Sequence, residues 1–250
     1  MALDPDVASA LAAEHEAFGA LLSGLGDDQW RAPTRCAGWT VADVVLHVSQ
    51  SDQLAVASLT GRLDAVAAAF RTSGTVDDAA DAMVREEQRL SPMQIRDRWL
   101  ARSTELRRLV ADDNDHRRVQ WVVGQLSVRT LAATRLAEAW IHGGDIADAL
   151  GVAVAPTERL RHVARLAWRT LPYAFARAGR ELGGPVRFVL RGPTGTTWDL
   201  APDDPPTSTI AGDGAELCLV AARRVAPEQT GLRGEGPDAE AVLSLVRTYA

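Results

Sequence analysis

Apolar positions in the first two-thirds of the chain recur at helical spacing. Val7, Leu11, Phe18, Leu21 and Leu22 share one side of a segment running from Asp6 to Gly24, the spacing of an amphipathic helix. Gly24 and Gly26 close it, and a loop with Pro33 and Gly38 follows. Thr40 is a good N-cap, with Asp43 in the reciprocal capping-box position where Glu or Gln is usual. The helix opened there carries Val41, Val44, Val45, Val48 and Leu54 on a broad apolar side. A third helical region runs over 77–109 and restarts at Ser91-Pro92, since proline suits a first turn. Asp112 to His116 is a polar break. Ser127 to Leu150 is the longest uninterrupted helical pattern, and Gly151 is placed to end it. Four long helices joined by loops predict an up-and-down bundle.

After Pro156 the pattern predicts one more helix, over 157–178, and then changes period at Gly183-Gly184-Pro185. Residues 186–190 and 196–200 are β-like runs, and Gly192-Pro-Thr-Gly195 between them suits a hairpin. A third strand over 208–211, a helix over 215–223 and a closing helix over 238–249 complete the reading. The predicted class is α+β: a helical bundle over 1–155, followed by a small α+β domain over 156–250. The sequence has no internal repeat, low-complexity tract or long linker.

Composition narrows the function. With 33 acidic and 27 basic residues the 250-residue chain carries a net charge of −6, which argues against a nucleic-acid partner. Every basic residue other than histidine is arginine, so Schiff-base and P-loop lysine chemistry are excluded. Cys36 and Cys218 are too few and too far apart for a disulfide framework or a cysteine-rich zinc site. No apolar run reaches the ~18 residues of a membrane span, and Met1–Pro5 leads into no signal-peptide core. The expectation is a soluble, cytoplasmic protein with a small-molecule substrate and no membrane partner. Oligomeric state is not legible.

The sharpest chemical feature is the stretch from Arg135 to Asp145. Glu138 and His142 are four residues apart, so on a helix their side chains converge, and Asp145 falls on the same stripe. Apolar Ala137, Ile141, Ala139 and Ile146 flank that stripe, and burying such groups is costly unless something satisfies them. A divalent metal would do so; a solvated Glu–His pair on an exposed face is the bland alternative. Spacing alone leaves both open. His47 lies near the apolar side of the Thr40 helix, where a lone histidine is more often a hydrogen-bonded core residue. Yet a bundle interior is also where ligands from facing helices meet.

Two stretches resemble a known family. Cys36-Ala-Gly-Trp-Thr-Val-Ala-Asp-Val-Val-Leu-His47 is similar to the start of the second helix in the DinB-like mycothiol-dependent maleylpyruvate isomerase family. Glu138-Ala-Trp-Ile-His142-Gly-Gly-Asp-Ile-Ala-Asp-Ala-Leu-Gly151 resembles its fourth-helix signature. The resemblance implies a DinB-like four-helix bundle in which His47, Glu138 and His142 bind a divalent metal, usually zinc, with a small α+β domain behind it. It also implies mycothiol as a thiol cosubstrate for isomerisation of, or thiol transfer to, an electrophilic small molecule lodged between bundle and small domain. Arg223, after the apolar stretch Leu217–Val220, is the equivalent of an arginine that reaches the active site, against the bland reading of a surface arginine.

Further residues divide similarly. Asp145 either orients His142 as an outer carboxylate, joins the metal, or is a solvated acid near the helix end. Cys36 reads as a lone buried cysteine. Trp39, Trp121 and Trp140 read as core and groove wall, and His15, His116 and His162 have no partner pattern. Two other functions stay in view: a metal-containing small-molecule binding protein without catalysis, since the small domain also resembles sterol-carrier-like folds, and a thiol-independent natural-product tailoring or hydrolytic enzyme.

Overall fold

The computed structural model describes residues 6–68, 75–113, 117–122 and 124–248, with the backbone alone at 67–68 and 76–77. His116 and the end of the expected closing helix at Tyr249 lie outside the described residues. The chain divides into two compact units, Met1–Val154 and Ala155–Ala250, and the fold is α+β.

The first unit is built on four long helices. α1 (Val7–Leu21) and the single turn α2 (Asp27–Trp30) precede α3 (Val41–Leu59), short α4 (Leu63–Ala68) and α5 (Val76–Glu87). α6 (Pro92–Ala111), the hairpin β1 (Arg118–Trp121) and β2 (Gly124–Ser127), and α7 (Val128–Leu150) complete it. α3 packs on α6 and α7, and α1 packs on α7 and α6, which closes the ring of four. The starts follow local chemistry. The Thr40 hydroxyl accepts from the Asp43 backbone N–H at 3.3 Å, while Asp43 Oδ2 accepts from the Thr40 backbone N–H at 2.9 Å. Ser91 and Gln94 cap α6 in the same way, ahead of Pro92. Gly151 ends α7 at φ +66°, a left-handed conformation that glycine adopts without a Cβ clash.

The core of this unit joins Phe18, Trp99, Ile95, Val44, Leu46 and Ile146, among others. Gly143 matters here: a Cβ on it would lie 3.3 Å from Phe18 Cδ2, so α1 and α7 approach closely beside His142. The β1–β2 hairpin was not expected. Its alternation of exposed and buried residues lasts only four residues in β1, too short a run to stand out between long helices. The segment 77–109 is two helices, as the restart at Ser91-Pro92 predicted.

In the second unit the helix expected over 157–178 is two: α8 (Leu160–Arg169) and α9 (Leu171–Arg177). Pro172 supplies the reason, because it lacks an N–H and its ring clashes with the carbonyl four residues back. β3 (Val186–Arg191), β4 (Thr197–Leu200), β5 (Ser208–Asp213) and β6 (Arg233–Glu235) form one sheet in the order β4-β3-β5-β6. β3 and β4 pair antiparallel across the Gly192–Gly195 turn, whereas β5 runs parallel to β3. Between β5 and β6 lies α10 (Gly214–Ala221), capped by Asp213. The closing helix α11 (Ala239–Leu245) is shorter than expected. Buried Val246 leaves the helical conformation and the Thr248 N–H reaches the Ala221 carbonyl, so the last residues are drawn onto α10. β6 was not anticipated: its three residues are all exposed and show no alternation.

Candidate functional site

His47 from α3 and Glu138 and His142 from α7 meet in the first unit. His47 Nε2 lies 3.3 Å from Glu138 Oε2, and His142 Nε2 lies 3.6 Å from the same oxygen. One potential ligand atom from each of the three falls within 4.8 Å of the others. Their side chains are 12–21% exposed, so the cluster borders solvent rather than being sealed in the core. The helical spacing of Glu138 and His142 and the capped start of α3 are what aim these groups at one point.

Asp145 is 1% exposed and its Oδ2 accepts from His142 Nδ1 at 3.0 Å. It therefore binds the ring nitrogen opposite the one facing Glu138, which leaves it outside the three-residue cluster and holding the imidazole in place. Cys36 is half-buried, which departs from the expected core cysteine. Its Sγ donates to Asp145 Oδ2 at 3.3 Å and sits 4.0 Å from His142 Nδ1. The cause is the turn before α3: Thr34 and Trp39 hydrogen-bond through the backbone, Pro33 bridges to Thr40, and the Val41 N–H reaches the Ala32 carbonyl. That fold carries Cys36 against α7, a contact no local sequence pattern signals. The Trp39 ring packs 5.0 Å from His47 while its Nε1 donates to Asp81 at 2.8 Å, so Trp39 is a wall of the site.

Charge in the cluster follows from these contacts. Burial pushes the Glu138 carboxyl upward, but hydrogen bonds from His142 and His47 and the charge of Arg135 outweigh it and hold it well below the usual carboxylate range. Burial lowers His47 in spite of its hydrogen bond to Glu138. For His142 burial is overcome by the hydrogen bonds to Asp145, Cys36 and Glu138, which raise it well above an ordinary histidine.

The donor set fits a divalent ion. Tetrahedral ligands at metal bonds of about 2.0 to 2.2 Å stand roughly 3.3 to 3.6 Å apart, and the two His–Glu separations match. Two imidazole nitrogens and one carboxylate oxygen are ordinary zinc chemistry.

Residues 11–147 match the family described as the mycothiol maleylpyruvate isomerase N-terminal domain. That span exceeds half of the chain. The protein belongs to this family. The first stretch that carried the resemblance, and residues 138–147 of the second, lie within the matched residues. An uncharacterised protein of Mycobacterium tuberculosis, found in strains CDC 1551 / Oshkosh and H37Rv, is 32% identical over 245 residues, covering 96% of this chain and 93% of its own. Crystal structures of the mycothiol-dependent maleylpyruvate isomerase and of a histidine-to-alanine mutant superpose with TM-scores of 0.61 and 0.60. They share 18% identity with this chain over 93% of it and 94% of their own length, a likeness of fold. Both are structures of an enzyme.

One helical turn from the cluster, in the family's bundle, lies a second polar layer that the sequence reading did not anticipate. His15 of α1 and Asp52 of α3 are both almost fully buried, 3.7 Å apart. Burial, reinforced by Arg107 and Arg135, pushes His15 down to about 3. Burial raises Asp52 to about 7 in spite of Arg135, Arg102 and Arg107, with Glu138 adding to the rise. An unfolded aspartate titrates near 3.9, so between about pH 4 and 7 the native state holds the extra proton at Asp52. That contribution to stability falls as pH rises through this window. His15 works the other way, holding fewer protons in the native state between about pH 3 and 6.5. Asp52→Asn should therefore stabilise the protein by about 4 kcal/mol at pH 8 and by about 1.5 kcal/mol at pH 5, at about 1.4 kcal/mol per unit of pKa. Denaturant unfolding at the two pH values checks this; an equal shift at both would refute the buried-proton account.

The remaining residues are placed as follows. Arg223 follows α10 at φ +59°, and its Nη1 donates to the Ser244 carbonyl at 3.1 Å. Cys218 is buried, its thiol pushed up by burial, and donates to the Leu160 carbonyl. Trp121 is buried beneath the Arg135 guanidinium, and Trp140 is half-buried. Among the described residues no helix is long and apolar enough to cross a membrane.

Proposed function

We propose that this protein is a metal-dependent enzyme in which His47, Glu138 and His142 hold a divalent ion, with zinc the first candidate. Its cosubstrate is a low-molecular-weight thiol, mycothiol, used to isomerise or to modify an electrophilic small molecule. The observation that carries the reading is the convergence of three family-matched side chains at tetrahedral ligand spacing. Asp145 is engaged by His142 Nδ1 and Cys36, on the side of the ring away from Glu138, which supports a set of three protein ligands although Cys36, His142 and Asp145 form a second group of potential ligands. Three protein ligands are the signature of a reactive site rather than of a closed structural one. The family and the solved isomerases support the choice of thiol and of reaction class.

When bound, the ion would lower the pKa of a coordinated thiol so that it stands as the thiolate at neutral pH. The chain's own residues set the rest. Asp145 fixes the His142 ring with its Nδ1–H turned away from the ligand point, Trp39 fixes the His47 ring, and the hydrogen bonds from both histidines, with the Arg135 charge, keep Glu138 ionised. The thiol sulfur adds to an electrophilic carbon, rotation about the bond made single follows, and elimination releases the isomer and the thiol. Transfer stops at the thioether. The family resemblance makes Arg223 a candidate for binding an anionic group of the substrate.

Elemental analysis of the purified protein and cobalt substitution test the proposal together. About one metal per chain is expected, and mycothiol should shift the cobalt spectrum as sulfur replaces water, more effectively than simpler thiols. Stoichiometric metal with an unchanged spectrum at saturating mycothiol would overturn the thiol chemistry and leave a binding protein. Turnover without any thiol would point to the tailoring or hydrolytic reading.

A further inference from the structure

Arg135 is the misfit of the bundle interior. It is 6% exposed, its Nη1 is buried without a hydrogen-bond partner, and its Nε makes a 3.3 Å contact with Thr134 Oγ1. Among the described residues no ion pair joins it. The neighbouring arginines differ: Arg102 reaches Glu87 and Ser49, and Arg107 reaches Glu16. A buried guanidinium without a paired anion is costly by several kcal/mol, so an uncommitted one in a closely packed bundle calls for a ligand.

Its surroundings indicate what kind. Arg135 precedes Glu138 by three residues on α7, which places it on the same stripe about 4.5 Å along the helix axis. Its charge acts on Glu138, His47, Asp52 and His15 alike, so it stands within electrostatic reach of the metal cluster. The guanidinium carbon stands 5.1 Å from the Trp121 ring centroid. A guanidinium held over an aromatic face keeps its in-plane N–H groups available, and that fork matches a carboxylate with two parallel hydrogen bonds. The two nearby carboxylates do not supply this: Glu138 is engaged by both histidines, and Asp52 faces His15.

We infer that Arg135 is the anchor of an anion subsite that takes a carboxylate of the small-molecule substrate, with the rest of that substrate directed at the metal cluster one turn away. The inference rests on the proposed small-molecule chemistry of that cluster and names its substrate class: short organic acids whose carboxylate lies two or three bonds from the reacting carbon.

The test is binding of succinate, which does not react with thiols, measured by calorimetry on the full chain in metal-free and zinc-loaded forms. Succinamide serves as the uncharged counterpart. Wild type should bind succinate at least tenfold more tightly than succinamide. Arg135→Gln should lose at least tenfold in succinate affinity while retaining its metal, and Arg135→Lys should recover part of the loss. Wild-type affinity in Arg135→Gln, or no succinate binding by wild type, overturns the subsite. So does a loss of succinate binding that appears only where metal is lost as well, since Arg135 would then act through Glu138 alone. If Arg135→Gln does not fold, Arg135→Lys decides: it keeps the charge but not the fork, and should bind succinate at least threefold more weakly than wild type. Because the metal-free arm does not depend on zinc or on thiol, a failure of the enzyme reading leaves this result standing on its own.

Discussion

Replacing His142 by alanine is expected to strip the protein of its metal and to lower thiol-dependent turnover at least a thousandfold. The ring supplies one of three converging ligand atoms, and the remaining pair, His47 and Glu138, comes from two different helices with nothing further to close the set. A two-ligand remnant has to compete with water for the ion. The substitution also takes from Asp145, 1% exposed, the donor 3.0 Å from its Oδ2. Removing one partner of a buried pair is destabilising by about 3 to 5 kcal/mol, so some loss of stability should accompany the loss of metal. His142→Gln separates the two effects, because its amide can still donate toward Asp145 without offering an imidazole nitrogen. Elemental analysis of both variants, with circular dichroism to establish folding, is the measurement. Stoichiometric metal in folded His142→Ala would remove His142 from the ligand set.

Much of this site was legible before any coordinates. Glu138 and His142 declare themselves by helical spacing, and the cap at Thr40 fixes the face of α3 on which His47 stands. What spacing could not supply is that the two helices bring those faces together; that step came from the family resemblance. The residues that were missed are those placed by tertiary contact. Cys36 reaches Asp145 only because a ten-residue turn folds back on itself. His15 and Asp52 meet across α1 and α3 with no sequence relation. Arg135 had a signal, its i,i+3 relation to Glu138, but a charged residue on a helix is normally solvated, and only its burial shows otherwise. Among the elements, the long capped helices were readable and the short hairpin and β6 were not. A strand of three or four residues carries too few alternations to compete with flanking helices.

Replacing Asp145 by asparagine is expected to weaken metal binding by about 10- to 100-fold, the range for outer carboxylates that orient a histidine ligand. The carboxylate accepts from His142 Nδ1 at 3.0 Å and so selects the tautomer whose Nε2 lone pair faces Glu138. Asparagine fits the same space, but its amide can turn either an oxygen or an N–H toward the ring. The second arrangement favours the tautomer with Nε2 protonated, which cannot bind an ion. Cys36 provides the internal comparison, since it shares Asp145 Oδ2 from the far side at 3.3 Å. Cys36→Ser keeps a donor there and should change metal affinity less than threefold. The decisive readout is the tautomer itself, observed by nitrogen NMR of the metal-free protein at a pH above the raised His142 pKa, where the ring is neutral: Nδ1–H should dominate for His142 in wild type and give way to a mixture in Asp145→Asn. Wild-type affinity with an unchanged tautomer would show that packing by α1 and α7 alone orients the ring, and that the buried carboxylate serves another purpose.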